Sequence, residues 1–209
     1  MMAPPRRARR ARAVAVLVFD GFADWEPAFA LTGLRRWGKQ DVVTVGYDRR
    51  PITSMGGLRV MPDCALGELV LAETQLLLLP GGDQWLGTYP ADALHPVLEA
   101  CAAREVPVAG ICAATTALAR TGLFRGRRHT SNGRSFLREH VPDYETPGLY
   151  VEALAVRDGG VISASGLGAV EFAGEIFAQL GVFGAAERHQ FEEMYRHGRA
   201  PSPQPSPPQ

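Results

Sequence analysis

Apolar and polar positions along the chain follow two rhythms that take turns. "ARAVAVLVFD" becomes a continuous apolar run that stops at Asp20 and Gly21, the pattern of a strand buried on both faces. "ADWEPAFALTGLRRWG" then places Trp25, Phe29, Leu31 and Leu34 near helical spacing, with Gly38 as the stop. "DVVTVGYD" is a second strand, so the chain opens as a parallel strand–helix–strand crossover. Gly56 and Gly57 in "PITSMGGLRVMPDC" mark a hairpin or β-arm rather than another crossover.

"TQLLLLPGGDQW" is a buried strand that ends abruptly at Pro80, Gly81 and Gly82. "ADALHPVLEACAARE" reads as a helix and "VPVAGIC" as a further buried strand, and the helix "AATTALARTG" follows with no visible linker. Past "RRHTSN" come a short helix from about Gly133 to His140, a strand pair within "YVEALAVRDGGVISASG", and the helices "AVEFAGEIFAQLG" and "AAERHQFEEMYRHG". Strands alternating with helices throughout predict a doubly wound α/β sheet with helices on both faces.

Composition narrows the class. The 209 residues suit one domain; they are 46% hydrophobic and 21% charged, with 22 basic and 22 acidic residues. No global field favours nucleic acid or an anionic membrane, so neither is expected as a partner. "MMAPPRRARRAR" carries five arginines without the apolar stretch of a secretory signal, and "AVAVLVF" is too short to span a bilayer. "RAPSPQPSPPQ" has almost nothing to bury. The expected organisation is an Arg-rich disordered extension over 1–12, one α/β domain over 13–199 and a Pro-rich disordered tail over 200–209. Cys64, Cys101 and Cys112 are odd in number and form no C-x-x-C pair, which argues against a disulfide framework and a structural zinc, and for the reduced cytoplasm.

In a doubly wound sheet, chemistry collects at the carboxyl ends of the strands. Three stretches end there on this reading: "DGFADWE", "PGGDQW" and Cys112. Cys112 follows a strand directly and precedes Ala113, Ala114, Thr115 and Thr116, all short enough for a tight elbow at the start of a helix. Helix-start N–H groups would lower its thiol pKa and make it nucleophilic; the alternative is a small buried hydrophobe. Glu26, beside Asp24 on a first helical turn, is either an acid–base partner for a thiol or a carboxylate complementing the helix dipole. Gly81 and Gly82 either free backbone N–H groups for an oxyanion, together with that of Ala113, or form a plain tight turn.

The phrases "FDGFADWEPAFAL", "LLLLPGGDQW", "VAGICAATTALARTGLFRGRRHTSN" and "VISASGLGAVEFAGEIF", in that order and spacing, resemble the ThiJ/PfpI family of the class I glutamine amidotransferase-like superfamily from about Val14 to Phe183. The resemblance implies a single-domain flavodoxin-like three-layer sandwich in which Cys112 is the elbow nucleophile, Glu26 its carboxylic acid partner, and Gly82 and Ala113 the oxyanion donors. It also implies a homodimer or higher homo-oligomer. Members act as proteases, amidases, isonitrile hydratases, cofactor-free glyoxalases or deglycases, or redox-sensing chaperones. Two family bases are missing: Ala113 stands where protease-like members carry a histidine after the cysteine, and Asn132 stands where glyoxalase and deglycase members carry theirs. His129 is the nearest substitute, and Asp24, Asp83 and Trp85 are expected to shape the pocket.

No cofactor or metal is expected. "GLGAVE" has Glu171 where a dinucleotide fingerprint needs its third glycine, and "PGGDQWLGT" has no lysine after its glycines. The expected function is that of a cysteine-dependent hydrolase, amidase or glyoxalase/deglycase acting on a small carbonyl or amide substrate. The alternative is a stress-response sensor whose Cys112 is reversibly oxidised.

Overall fold

Residues 12–145 and 148–199 are described by the computed structural model. The arginine-rich start and the proline-rich tail lie outside the described residues, apart from Arg12, whose Nε donates to the Ala72 carbonyl.

The chain runs β1 (Ala13–Leu17), α1 (Trp25–Arg36), β2 (Val42–Gly46), β3 (Ile52–Thr53), β4 (Arg59–Val60), β5 (Cys64–Ala65), β6 (Thr74–Leu79), α2 (Ala91–Ala103), β7 (Val108–Ile111), α3 (Thr115–Arg120), α4 (Arg134–His140), β8 (Ala155–Asp158), β9 (Val161–Ala164), α5 (Ala169–Leu180) and α6 (Ala185–His197). Seven strands form one sheet in the order β5-β2-β1-β6-β7-β9-β8, and β3 pairs with β4 as a separate antiparallel hairpin. Every pairing in the large sheet is parallel except β8 with β9. This is the three-layer flavodoxin-like architecture expected, with one strand the sequence reading did not foresee: two-residue β5, which extends the sheet beyond β2.

The central strands are apolar on both faces because helices cover both. Leu76, Leu77, Leu78 and Leu79 of β6 have no exposed surface, and each such side chain contributes about 2 kcal/mol by leaving water. The buried side of α1 differs from the expectation. Glu26, Pro27, Ala30, Gly33 and Leu34 face inward, whereas Trp25 is 54% exposed. Glu26, Ala30, Gly33 and Leu34 recur at helical spacing on one face, and Trp25, nine residues before Leu34, falls about half a turn away from it. Gly33 lets the buried face close on α5, since a β-carbon there would come within 2.8 Å of Phe177 Cε1.

From β1 the sheet grows one way through β2 and β5, and the other way through β6, β7 and β9. The order therefore reverses between β1 and β6, and a crevice opens there at the strands' carboxyl ends. The segments after β1, β6 and β7 all arrive at this crevice.

Candidate active site

Cys112 begins a 3₁₀ turn, Cys112–Ala114, that joins β7 to α3 without a loop. The change of direction is absorbed by one residue: Cys112 has φ 58°, in the left-handed region that costs an L-residue about 1–2 kcal/mol. The Thr115 hydroxyl donates to the Cys112 carbonyl at 2.6 Å and lies 2.6 Å from the Ser131 hydroxyl, which has the proton to donate back. Two buried hydroxyls thus hold the elbow from beneath.

Glu26 comes from the first turn of α1 and is 2% exposed. Its Oε2 accepts the Gly81 N–H at 2.5 Å, a bond that bridges the crevice between the ends of β1 and β6. The Ala23 N–H donating to the Gly81 carbonyl at 3.0 Å closes the same seam. Glu26 also hydrogen-bonds the Cys112 thiol. Burial raises its pKa, against the lowering effect of the Gly81 N–H and the thiol.

The thiol departs from expectation. Its pKa is raised rather than lowered: burial is the largest cause, the Glu26 charge adds to it, and hydrogen bonds from Asn132 and the Ala113 N–H oppose it. The following helix has six residues, too few to build a dipole that outweighs desolvation and a neighbouring carboxylate. Burial therefore favours the protonated form of both the cysteine and the acid.

Asn132 stands against the sulfur. Its Oδ1 accepts the Gly166 N–H at 2.8 Å, which obliges Nδ2 to face the other way, where it donates to Cys112 Sγ at 3.2 Å. An amide there can donate to sulfur but cannot take its proton.

Gly81 and Gly166 wrap the pair. A β-carbon on Gly81 would sit 2.8 Å from Cys112 Cβ and 2.9 Å from Glu26 Oε1; one on Gly166 would sit 2.9 Å from Sγ and 3.4 Å from Glu26 Oε1. Gly166 is a site residue the sequence reading does not single out, although it lies within "VISASGLGAVEFAGEIF". Its place directly after a buried strand was the available signal. Gly82, at φ 152°, has Phe19 and the Gly21 carbonyl where a side chain would go, so the adjoining backbone takes a path open to glycine. Ala113 is buried beside the cysteine.

The other expected site residues take different places. His129 is wholly buried with its ring stacked on Phe124 at 4.2 Å. Its Nδ1 lies 2.8 Å from the Arg127 carbonyl and its Nε2 2.6 Å from the Tyr144 hydroxyl, so Nδ1–H donates and Nε2 accepts. Burial lowers its pKa and keeps it neutral. These contacts hold it in the core instead of at the rim, because both nitrogens and the ring face are already engaged.

Trp85 is likewise core: it has no exposed surface, its Nε1–H donates to the Pro80 carbonyl at 2.8 Å, and it meets Phe19 edge-on. Asp83 is exposed. Asp24 accepts the Gly56 N–H at 2.5 Å through Oδ2, pinning the β3–β4 turn to the start of α1, while its buried Oδ1 has no hydrogen-bond partner among the described residues. No group of three or more His, Cys, Asp and Glu able to hold a metal occurs among the described residues. No helix of the described residues is long and apolar enough to cross a membrane.

Comparison with known proteins gives a consistent picture. The model of the DJ-1/PfpI family matches residues 12–179. The uncharacterized protease YoaZ of Bacillus subtilis is 36% identical over 179 residues, 82% of this chain and 85% of the relative. The deglycase TK1284 of Thermococcus kodakarensis is 28% identical over 151 residues, 72% of this chain and 88% of the relative. Among solved structures, the DJ-1 superfamily protein Atu0886 from Agrobacterium tumefaciens superposes with a TM-score of 0.82 at 35% identity, covering 90% of this chain and all of that one.

Proposed function

The chain belongs to the DJ-1/PfpI family, and from that premise we propose that it is a cofactor-independent cysteine enzyme, a hydrolase or amidase or else a glyoxalase or deglycase, acting on a small carbonyl or amide substrate. One observation carries the reading: a cysteine held at φ 58° at the sheet's crevice, hydrogen-bonded to a carboxyl group that is itself buried. Neither the strain nor the buried acid serves packing.

For an amide the steps balance as follows. The Cys112 sulfur bonds to the carbonyl carbon as its proton passes to Glu26, and the N–H groups of Gly82 and Ala113 meet the oxyanion. Collapse breaks the carbon–nitrogen bond, the amine leaves with the proton from Glu26, and a thioester remains. Water then adds, giving its proton to Glu26; collapse releases the acid and returns that proton to the Cys112 sulfur. Glu26 is the proton carrier throughout, since Asn132 has no proton to exchange and His129 is engaged elsewhere. With the thiol pKa raised, little thiolate is present before substrate arrives, and turnover is expected to be slow.

A second reading has its own support: the donors around Sγ, Asn132 Nδ2 and the Ala113 N–H, suit the oxygens of an oxidised cysteine. Cys64, Cys101 and Cys112 are all unpaired thiols, in keeping with a reducing cytoplasm. Self-association through the exposed Met55 and Leu58 of the β3–β4 hairpin belongs to the same proposal, and a monomeric mass at micromolar concentration in sedimentation would remove that part.

A panel of activated esters, amides, methylglyoxal and glycated amines decides the main reading. Turnover of at least one class is expected, falling by about a thousandfold or more in Cys112→Ala. Turnover that survives this substitution sinks the enzyme reading. Peroxide mass shifts confined to Cys112, with no substrate turned over, select the sensor.

A further inference from the structure

The Asn132 side chain has two surroundings. Its Nδ2 touches the Cys112 sulfur, and the residue also lines an open cavity of about 320 Å³ together with Ser131, Gly133, Tyr150, Glu152, Ala153, Leu154 and Ser165. The cavity is bounded on one side by the residue in contact with the nucleophile and on another by Ser165, next to Gly166, which crowds the same sulfur. Asn132 thus belongs both to the surroundings of the sulfur and to the wall of this space.

The lining is neutral apart from Glu152. Tyr150 and Leu154 give it apolar surface, and Ser131 and Ser165 give it hydroxyls. Glu152 is exposed and makes no ion pair with a described residue. Arg134 does not pair with it: its guanidinium lies over the Tyr150 ring at 5.3 Å and donates to the Tyr150 carbonyl. A carboxylate with no ion-pair partner among the described residues, facing a cavity with mixed walls, favours a positively charged group on whatever occupies it.

We infer that this cavity is a substrate subsite, and that Glu152 makes it select molecules carrying an ammonium or other cation a few bonds from the reacting carbon. The inference rests on Cys112 being the reacting group of the proposed function. Glu152 is a specificity-determining residue here, with no part in moving protons.

Charged thiol reagents test the subsite without requiring turnover. Second-order rates of Cys112 modification are measured by mass spectrometry with the ethylammonium, ethylsulfonate and uncharged ethyl methanethiosulfonates, each divided by its rate with a free thiol. The buried Glu26 contributes to any cation preference in the unaltered protein, so the informative quantity is the change on substitution at position 152. The ammonium-to-sulfonate ratio is expected to fall about fivefold in Glu152→Gln, the scale of an exposed carboxylate, and further in Glu152→Lys.

An unchanged ratio in both variants overturns the subsite. In parallel, p-nitrophenyl esters of 4-aminobutyrate and of butyrate report turnover. Preference for the aminated ester that disappears in Glu152→Gln supports the inference, and persistence of that preference counts against it. Neither ester being cleaved in a Cys112-dependent way, while the reagent ratio still falls, would remove the hydrolase reading and leave the cation subsite standing.

Discussion

Two buried polar clusters lie within one stretch of chain, around His129 and around Cys112, and burial has opposite consequences in them. The imidazole of His129 is neutral, both its nitrogens have partners, and its face is stacked on Phe124. Around Cys112 the backbone is strained, and a carboxyl and a thiol are both pushed toward protonation while sharing a hydrogen bond. A polar residue buried with its needs met contributes to architecture. One buried in an arrangement the fold must hold against its own cost is where chemistry is to be sought.

The contrast can be broken most directly by exchanging the outcomes expected of the two clusters. His129→Ala should lower stability by about 3 kcal/mol in denaturant unfolding, from lost packing and an orphaned Tyr144 contact, yet leave Cys112 alkylation in the folded protein within about twofold. A collapse of reactivity there, with stability kept, would make His129 part of the site.

Gly81→Ala is the next largest effect. Its β-carbon meets Cys112 and Glu26 together, so a loss of about 2 kcal/mol or more is expected in the same unfolding assay, together with altered thiol reactivity. A neutral result would mean that the acid and cysteine are less tightly held than their contacts indicate.

Glu26→Gln sharpens the electrostatic side. The carboxylate charge adds to the burial that raises the thiol pKa, so its removal should move the pH profile of Cys112 alkylation downward and speed alkylation at neutral pH. Glu26 itself has a folded pKa above its unfolded one. Its contribution to stability is thus fully present below the unfolded carboxyl value and is lost as pH rises through the folded value. The wild-type advantage over Glu26→Gln in chemical denaturation should accordingly shrink as pH rises from about 4.5, and an advantage that grows would reverse the assignment.

The smallest expected change is at the elbow. Cys112→Gly, while abolishing thiol chemistry, should change stability in denaturant unfolding by no more than about 1 kcal/mol, because relief of φ 58° offsets the lost packing of the side chain and the greater freedom of the unfolded chain. A clear loss of stability would show the elbow to be relaxed.

Much of this was legible in the chain. Apolar runs ending in Asp20–Gly21, Pro80–Gly81–Gly82 and Cys112 gave both the strands and the rim on which they meet, because buried parallel strands leave an unbroken signal. The resemblance to the family, counted on from Cys112, pointed to Asn132, a residue that does touch the sulfur. What could not be read was direction and environment. Trp25 and Leu34 lie nine positions apart, half a turn round the helix, so only one of them can face the core, and the face of Gly33 and Leu34 is the one that packs on a ring from α5, over a hundred positions later. Nothing local to "RRHTSN" says that His129 turns toward Tyr144. The sign of the thiol shift depends on desolvation, which no short motif encodes.

The seam between Glu26 and Gly81 also bears on how the protein folds. The two partners are 55 positions apart, Cys112 and Asn132 are 20 apart, and Asn132 and Gly166 are 34 apart. Loop-closure entropy delays contacts of that separation, so β9 and the turn after it must be in place before the last of them forms. On a ribosome, the cysteine would emerge well before Gly166 and wait, without its finished surroundings, until the chain beyond it was made. The acidity and access of that thiol are therefore late products of folding.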